Sequence, residues 1–344
     1  MKKLVTLLAF ALCGLLAGSG LHIWTQWHKP SPNFERVVIE IPRGASPMQV
    51  GHILQDSGLI LSARHFQWYC RLTGKNTKLK AGFYEILPST NLMEIATLLT
   101  GGKELGIRIT VPEGRASWEI YTICHEKFPE LDSARWDSLV HNPDFARQLN
   151  VPAKDLEGWL FPETYLFPMN VTERDILSHM VQTGRLVHAR LDTGATSKFR
   201  ALGGWEQVLT LASIVEEETG KINERPHISG VFHNRLRKGI PLGADPTVRF
   251  IFRNLTGPIF KSQLASDNPY NTRRFCGLPP GPISNPGFRA IDAALHPMVT
   301  EDLYFVARDD GSGEHFFASN LSQHNKFKDL AARNRGESVK SHSP

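Results

Sequence analysis

The chain has 344 residues, 41% of them hydrophobic, which is room for two or three domains with real cores. Its 39 Lys and Arg against 34 Asp and Glu give +5, a balance that suits an anionic polymer or a membrane surface. No dense Lys/Arg stripe points to nucleic acid as a partner, and neither zincin-type His spacing nor a Cys-x-x-Cys pair points to a metal or other cofactor.

Lys2-Lys3 precede Leu4 to Ile23, an uncharged and largely apolar run long enough to span a bilayer. The polar stretch after it implies that the remainder is exported. A cleaved signal peptide is the alternative, since Ala17-Gly18-Ser19 offers small residues. Trp24 and Trp27 stand where interfacial aromatics anchor a retained helix, so residues 1–24 read as a cytoplasmic tip and inner-membrane anchor, and 25–35 as a linker. Leu12 before Cys13 excludes a lipobox. The exported part holds Cys70, Cys124 and Cys276, an odd number at wide spacing, which excludes a disulfide framework.

Residues 36–104 read as a small α+β region. Val37 to Ile41 is a strand, and Ser46 with Pro47 opens a helix that stops near Gly58. A second helix covers Ala63 to Leu72, a strand returns over Gly82 to Leu87, and a helix over Leu92 to Leu99 is closed by Gly101-Gly102. The pattern fits one unit or a degenerate pair of them. It is either a spacer or a glycan-binding module of LysM character.

Residues 105–335 form the larger domain, with 336–344 as a disordered tail. A strand over Gly106 to Val111 leads through Pro112-Glu113-Gly114 to a helix from Ser117, and 130–150 reads as a polar helical insertion. Thr172-x-x-Asp175 starts a helix that runs to about Leu191. Helices follow over Trp205 to Thr219 and Arg225 to Arg237, and Asp245 caps a short one with Pro246 at its first position. Asn268 to Gly287 is too rich in proline to be a flexible linker. Leu303 to Ala307 and His315 to Ala318 flank a hairpin turn, and a polar helix closes the chain.

Glu216-Glu217-Glu218 end an apolar helix at the wrong pole of its dipole, where carboxylates are disfavoured. One reading is a solvated charge run; the other is a carboxyl held protonated near neutral pH as a general acid. Residues three, four and seven back share a face. Behind Glu218 lie Val215, Ile214 and Leu211, all large and apolar; behind Glu217 lie Ile214, Ser213 and Thr210. If one carboxyl is desolvated it is Glu218, with Glu216 and Glu217 at the surface or around it.

Several stretches together resemble the MltG (YceG-like) endolytic murein transglycosylase family. They are Leu211-Ala-Ser-Ile-Val-Glu-Glu-Glu-Thr219, Glu157-Gly-Trp-Leu-Phe-Pro-Glu-Thr-Tyr165, Val231-Phe-His-Asn-Arg-Leu236 and Asp245-Pro-Thr-Val248. Pro269-Tyr-Asn-Thr272, Gly277-Leu-Pro-Pro-Gly-Pro-Ile-Ser-Asn-Pro-Gly287, Tyr304-Phe-Val-Ala307 and His324-Asn325 complete the set in family order. Arg273 stands where the family usually has tyrosine, and Glu217 where relatives often have lysine.

The resemblance implies an α+β protein: a transmembrane helix, a small LysM-like domain and a larger mixed α/β catalytic domain. It implies cleavage between N-acetylmuramic acid and N-acetylglucosamine of nascent peptidoglycan strands, leaving 1,6-anhydro ends and terminating elongation. It places the catalytic acid on Glu218 and makes peptidoglycan synthases the expected partners. A hydrolytic muramidase, with Glu163 or another acid correctly spaced, and a silent peptidoglycan-binding scaffold remain the alternatives.

Glu163 is then a second cleft carboxylate or an acid bonded to neighbouring backbone. Tyr165 and Tyr270 either stack on sugars or pack. Asn234, Asn271, Asn285 and Asn325 either meet acetamido and peptide groups or cap turns. Asp245 is a cap first and a ligand second, and Thr247, Thr272 and His324 complete the candidate substrate contacts.

Overall fold

In a computed structural model of the protein, the described residues are 36–42, 44–101, 105–191, 201–253 and 255–341, with isolated positions between 18 and 30 and at 199; side chains are described as far as 335. The expected anchor, Leu4 to Ile23, lies outside them except for Gly18, as does most of the 25–35 linker. No helix among the described residues is long and apolar enough to cross a membrane. The chain divides into two compact units, Met1–Ile107 with Leu166–Asn170, and Arg108–Tyr165 with Val171–Pro344. The boundary expected after 104 thus falls after Ile107, and a short return is added to the first unit.

The first unit is one α+β module, not a degenerate pair. Strands β1 (Val37–Ile41) and β2 (Gly82–Ile86) pair antiparallel, Val37 opposite Ile86 and Ile41 opposite Gly82. Their alternation turns Ile39, Ile41, Tyr84 and Ile86 inward. Helix α1 (Pro47–Asp56) begins in a reciprocal box: Gln49 N–H donates to Ser46 Oγ at 3.3 Å and Ser46 N–H to Gln49 Oε1 at 2.8 Å. Helix α2 (Ala63–Leu72) crosses it closely because position 51 is glycine; a Cβ there would lie 2.8 Å from Ala63 O. With α3 (Leu92–Gly101), these elements enclose Val50, Leu54, Phe66, Cys70, Ile95 and Leu99.

Strand β3 (Gly106–Thr110) pairs with β4 (Thr164–Pro168). Between them come α4 (Ser117–His125), α5 (Ser133–Val140) and α6 (Pro143–Gln148). The last two occupy the expected insertion, yet they bury Trp136, Val140, Phe145 and Ala146, and Trp136 Nε1 donates to Ser117 O at 3.1 Å. They belong to the core.

The second unit continues with α7 (Glu173–Leu191), α8 (Trp205–Glu218), α9 (Arg225–Lys238), α10 (Asp245–Ile251), α11 (Lys261–Leu264) and α12 (Phe288–Leu295). The hairpin β5 (Tyr304–Ala307) and β6 (His315–Ala318) and helix α13 (Leu321–Ser341) end it. Among the described residues every sheet is two-stranded, so the mixed domain that was expected is mostly helical, with short paired strands. At its centre is α8: Val208 through Glu216 are all buried, a helix enclosed nearly all round. It packs on α12 and α9. Residues 336–341, expected in a disordered tail, continue α13. Cys70 and Cys124 are buried, Cys276 is exposed, and all three are unpaired.

Candidate active site

Helix α8 ends in Glu216, Glu217 and Glu218 with no basic residue in its last turn. The dipole disfavours all three carboxylates, and each has a different environment. Glu216, expected at the surface or around the acid, is 8% exposed and the most buried of the three. Its Oε1 pairs with Arg225, itself buried, and its Oε2 accepts the Gly287 N–H at 3.0 Å. Burial raises this carboxyl, while Arg225 and the Gly287 amide pull it back. A guanidinium brought from the next helix is what makes the position affordable.

Glu217 is exposed and reaches past Gly114, where a Cβ would lie 2.3 Å from its Oε1. Glu218 is half-buried, above Leu211, Ile214 and Val215, which are fully enclosed. Its Oε2 is sealed from solvent and has no hydrogen-bond partner among the described residues. Burial pushes the Glu218 carboxyl up to about 7; Asp245 adds to the rise, and Arg273 and Arg235 oppose it. Burial with Glu119 and Glu216 also takes Glu217 to about 7. Its side chain is open to water, however, which screens those fields. Glu218 is therefore the acid with a structurally enforced reason to hold a proton.

Glu217 and Glu218 open into a cleft of about 610 Å³ whose walls include Trp118, Asp245, Phe250, Arg253 and Ile283. Asp245 does not cap α10. Ala244 occupies the cap, Asp245 and Pro246 begin the helix, and the carboxylate instead takes the Arg273 Nε–H at 2.5 Å. A charge-assisted bond to a guanidinium outcompetes a backbone cap. Thr247 and Thr272 fix this pair from beneath: their hydroxyls lie 3.0 Å apart, and the Ala244 N–H donates to Thr272 Oγ1 at 3.1 Å. Arg235 is held by Leu303 O at 2.6 Å and Leu242 O at 2.8 Å, with Tyr304 5.3 Å below its guanidinium.

A family model described as the YceG-like family matches residues 39–329. The chain belongs to the YceG-like family. A protein of Bacillus subtilis (strain 168) named endolytic murein transglycosylase is 33% identical over 320 residues, covering 88% of this chain and 86% of that one. One of the same name from Streptococcus pneumoniae serotype 2 is 27% identical over 325 residues, covering 84% of this chain and 57% of its own length. The crystal structure of a yceG-like protein from Listeria monocytogenes aligns with TM-score 0.58 and 31% identity over 86% of this chain and 99% of that one.

In this YceG-like chain, most of the other candidate residues bind their own backbone. Asn234 Nδ2 donates to Thr300 O at 2.8 Å and Asp302 O at 2.9 Å. Asn271, fully buried, donates to Leu264 O and Ser266 O. Thr247 and Thr272 are buried beneath Asp245. Tyr165 is buried, its hydroxyl donating to Phe161 O at 2.5 Å. Glu163 is exposed, accepts the Thr164 N–H at 2.9 Å and does not line the cleft. Tyr270 is half-buried against Phe250, 4.9 Å between centroids. His324 stacks on Tyr304 at 5.1 Å, burial lowers its pKa, and Asn325 is exposed. No cluster able to hold a metal occurs among the described residues.

Asn285 belongs to a buried network that local patterns do not reveal. Its Nδ2 donates to Glu157 Oε1 at 2.8 Å and its Oδ1 accepts the Leu160 N–H at 2.8 Å. Glu157 also receives the Ser117 hydroxyl at 2.7 Å, so α4, the 157–161 turn and the proline-rich loop share one anchor. Burial takes Glu157 to about 7, with the Ser117 bonds opposing. Trp118 and Phe250 were also missed as cleft residues, although Phe250 follows Pro246 by one helical turn and so shares its face.

Proposed function

We propose that this chain is an endolytic lytic transglycosylase that cleaves the bond between N-acetylmuramic acid and N-acetylglucosamine in peptidoglycan. The observation that carries the reading is Glu218: a carboxyl near pKa 7 with one sealed, unpartnered oxygen, facing a cleft with aromatic walls. The name borne by the two relatives points the same way.

Protonated Glu218 gives its proton to the glycosidic oxygen, and the bond from that oxygen to the anomeric carbon breaks. Positive charge develops on the sugar, with Asp245 in the same cleft as its electrostatic counterpart. The Glu218 carboxylate then takes the proton of the muramoyl 6-hydroxyl, whose oxygen closes on the anomeric carbon. The products are a 1,6-anhydro end and a free 4-hydroxyl; no water is consumed and Glu218 ends protonated. One carboxyl suffices, whereas hydrolysis needs two in fixed separation. The hydrolytic reading would enlist Asp245, but its engagement with Arg273 favours a fixed charge over a base.

We further read Lys2-Lys3, Leu4 to Ile23, Trp24 and Trp27 as a single-pass inner-membrane anchor with both units on the periplasmic side. The first unit then serves as a LysM-like glycan guide. Anchoring beside nascent strands fits termination of elongation, with peptidoglycan synthases as partners. Digestion of peptidoglycan in heavy-oxygen water tests the reaction: unlabelled anhydro ends are expected, and labelled reducing ends would replace this reading with hydrolysis.

A further inference from the structure

The cleft that holds Glu217, Glu218 and Asp245 also carries cations, on and just beyond α10. Arg249 is occupied, its Nη2 donating to Gly257 O at 2.9 Å and bracing the loop that follows. Arg253 is not. Its guanidinium carbon sits 4.4 Å over the Trp118 ring, and that ring meets Phe250 at 5.3 Å between centroids. It makes no hydrogen bond among the described residues; the acid beside it, Asp137, is 4.0 Å away on the exposed surface, with 62% of its side chain accessible. An arginine seated on an indole face is preorganised, so little side-chain entropy remains to be lost when its N–H groups take a ligand. Those N–H groups match a carboxylate in two parallel hydrogen bonds.

We propose that Arg253, positioned by Trp118, is a carboxylate-binding subsite that reads the substituent on the muramoyl lactyl arm of the strand in the cleft. The inference rests on the peptidoglycan reading above. A glycan backbone is neutral, so the charge available to Arg253 is the lactyl carboxylate where the peptide is absent, or a carboxylate of the peptide where it is present. The acids around Glu218 repel either group. Repulsion at one part of the cleft and a guanidinium with no hydrogen-bonded acid at another orient the strand, with the anionic arm at Arg253 and a glycosidic oxygen at Glu218.

The test uses the full chain and its Arg253→Gln and Arg253→Lys variants, with three strands: peptide-bearing, stripped to free lactyl carboxylates, and stripped then amidated. Binding is read by titration calorimetry and cleavage by release of anhydro ends. Arg253→Gln weakens binding of a carboxylate-bearing strand about tenfold, the worth of a hydrogen-bonded charge. KM rises with kcat kept. Arg253→Lys recovers part of the loss, and the amidated strand binds all three proteins alike. Loss on peptide-bearing strands alone assigns the peptide carboxylate; loss on stripped strands assigns the lactyl group. Equal loss on the amidated strand, or no loss on any, overturns the subsite. Arg253-dependent binding without anhydro products would keep the subsite and remove the transglycosylase reading; anhydro products without Arg253 dependence would do the reverse.

Discussion

Glu216 Oε2 accepts the Gly287 amide hydrogen at 3.0 Å, fastening the end of α8 to the proline-rich loop. The same carboxylate pairs with Arg225, which also reaches Glu113 at 3.4 Å. A Cβ at position 287 would stand 1.9 Å from Glu113 Oε1, so a larger residue there displaces the Glu113 side chain from its place beside Arg225. Three distant segments thus meet on the residue two before the proposed acid.

Removing Arg225 strands a buried carboxylate. Arg225→Met is expected to cost about 3–5 kcal/mol in urea unfolding. Adding Glu216→Gln should restore part of that loss, because the uncompensated charge is then gone. A cost below about 1 kcal/mol for the single variant would show that the pair is solvated.

The pH dependence of cleavage follows from Glu218 acting protonated. With its carboxyl near 7, kcat/KM should fall as pH rises above about 7. Asp245 raises this carboxyl and Arg273 lowers it, so Asp245→Asn should move the alkaline limb to lower pH and Arg273→Ala to higher pH. Limbs that move together, or not at all, would mean that another group sets the profile.

Glu218 also makes a stability prediction. Its folded value near 7 lies above the ordinary 4.5, so the folded chain binds more protons between the two. Its contribution to stability is greatest below about pH 4.5, falls as pH rises to about 7, and is level beyond. Glu218→Gln should therefore gain on the parent across that window, by about 1–3 kcal/mol above pH 7. Thermal melts on either side of the window check this; a constant offset would contradict it.

Gly230 lies inside α9, where alanine normally helps a helix by about 1 kcal/mol. Here a Cβ would stand 2.5 Å from Met298 O, whose own amide is held by Pro226 O at 2.8 Å. Gly230→Ala is expected to lower stability by about 1–3 kcal/mol, since the contact is backbone and cannot swing away. A rise in the melting temperature would show that the Met298 segment yields.

What was legible in the chain was what repeats locally. The Ser46 box, the limits of α8 and the apolar stripe behind Glu218 follow from helical periodicity, which neighbouring residues settle. Partnerships across sequence were not. Glu216 could be read either as surface or as a neighbour of the acid, because its counter-ion, Arg225, belongs to another helix. Asp245 looked like a cap because Arg273, 28 residues on, could not be placed beside it. Asn271 and Asn285 carry the same amide whether they meet a sugar or a carbonyl, and burial alone reveals that they hold the loop. The strands were legible singly, but that they pair only two by two, among the described residues, depends on partners far apart in the chain.

The most direct test of the account is digestion of purified sacculi by the full chain and by Glu218→Gln, with the fragments weighed by mass spectrometry. The parent should release fragments ending in 1,6-anhydro-muramic acid, each lighter by one water than a reducing end. Glu218→Gln should release none while keeping the parent's fold by circular dichroism. Anhydro fragments from the Glu218→Gln protein would contradict the assignment of Glu218 as the acid.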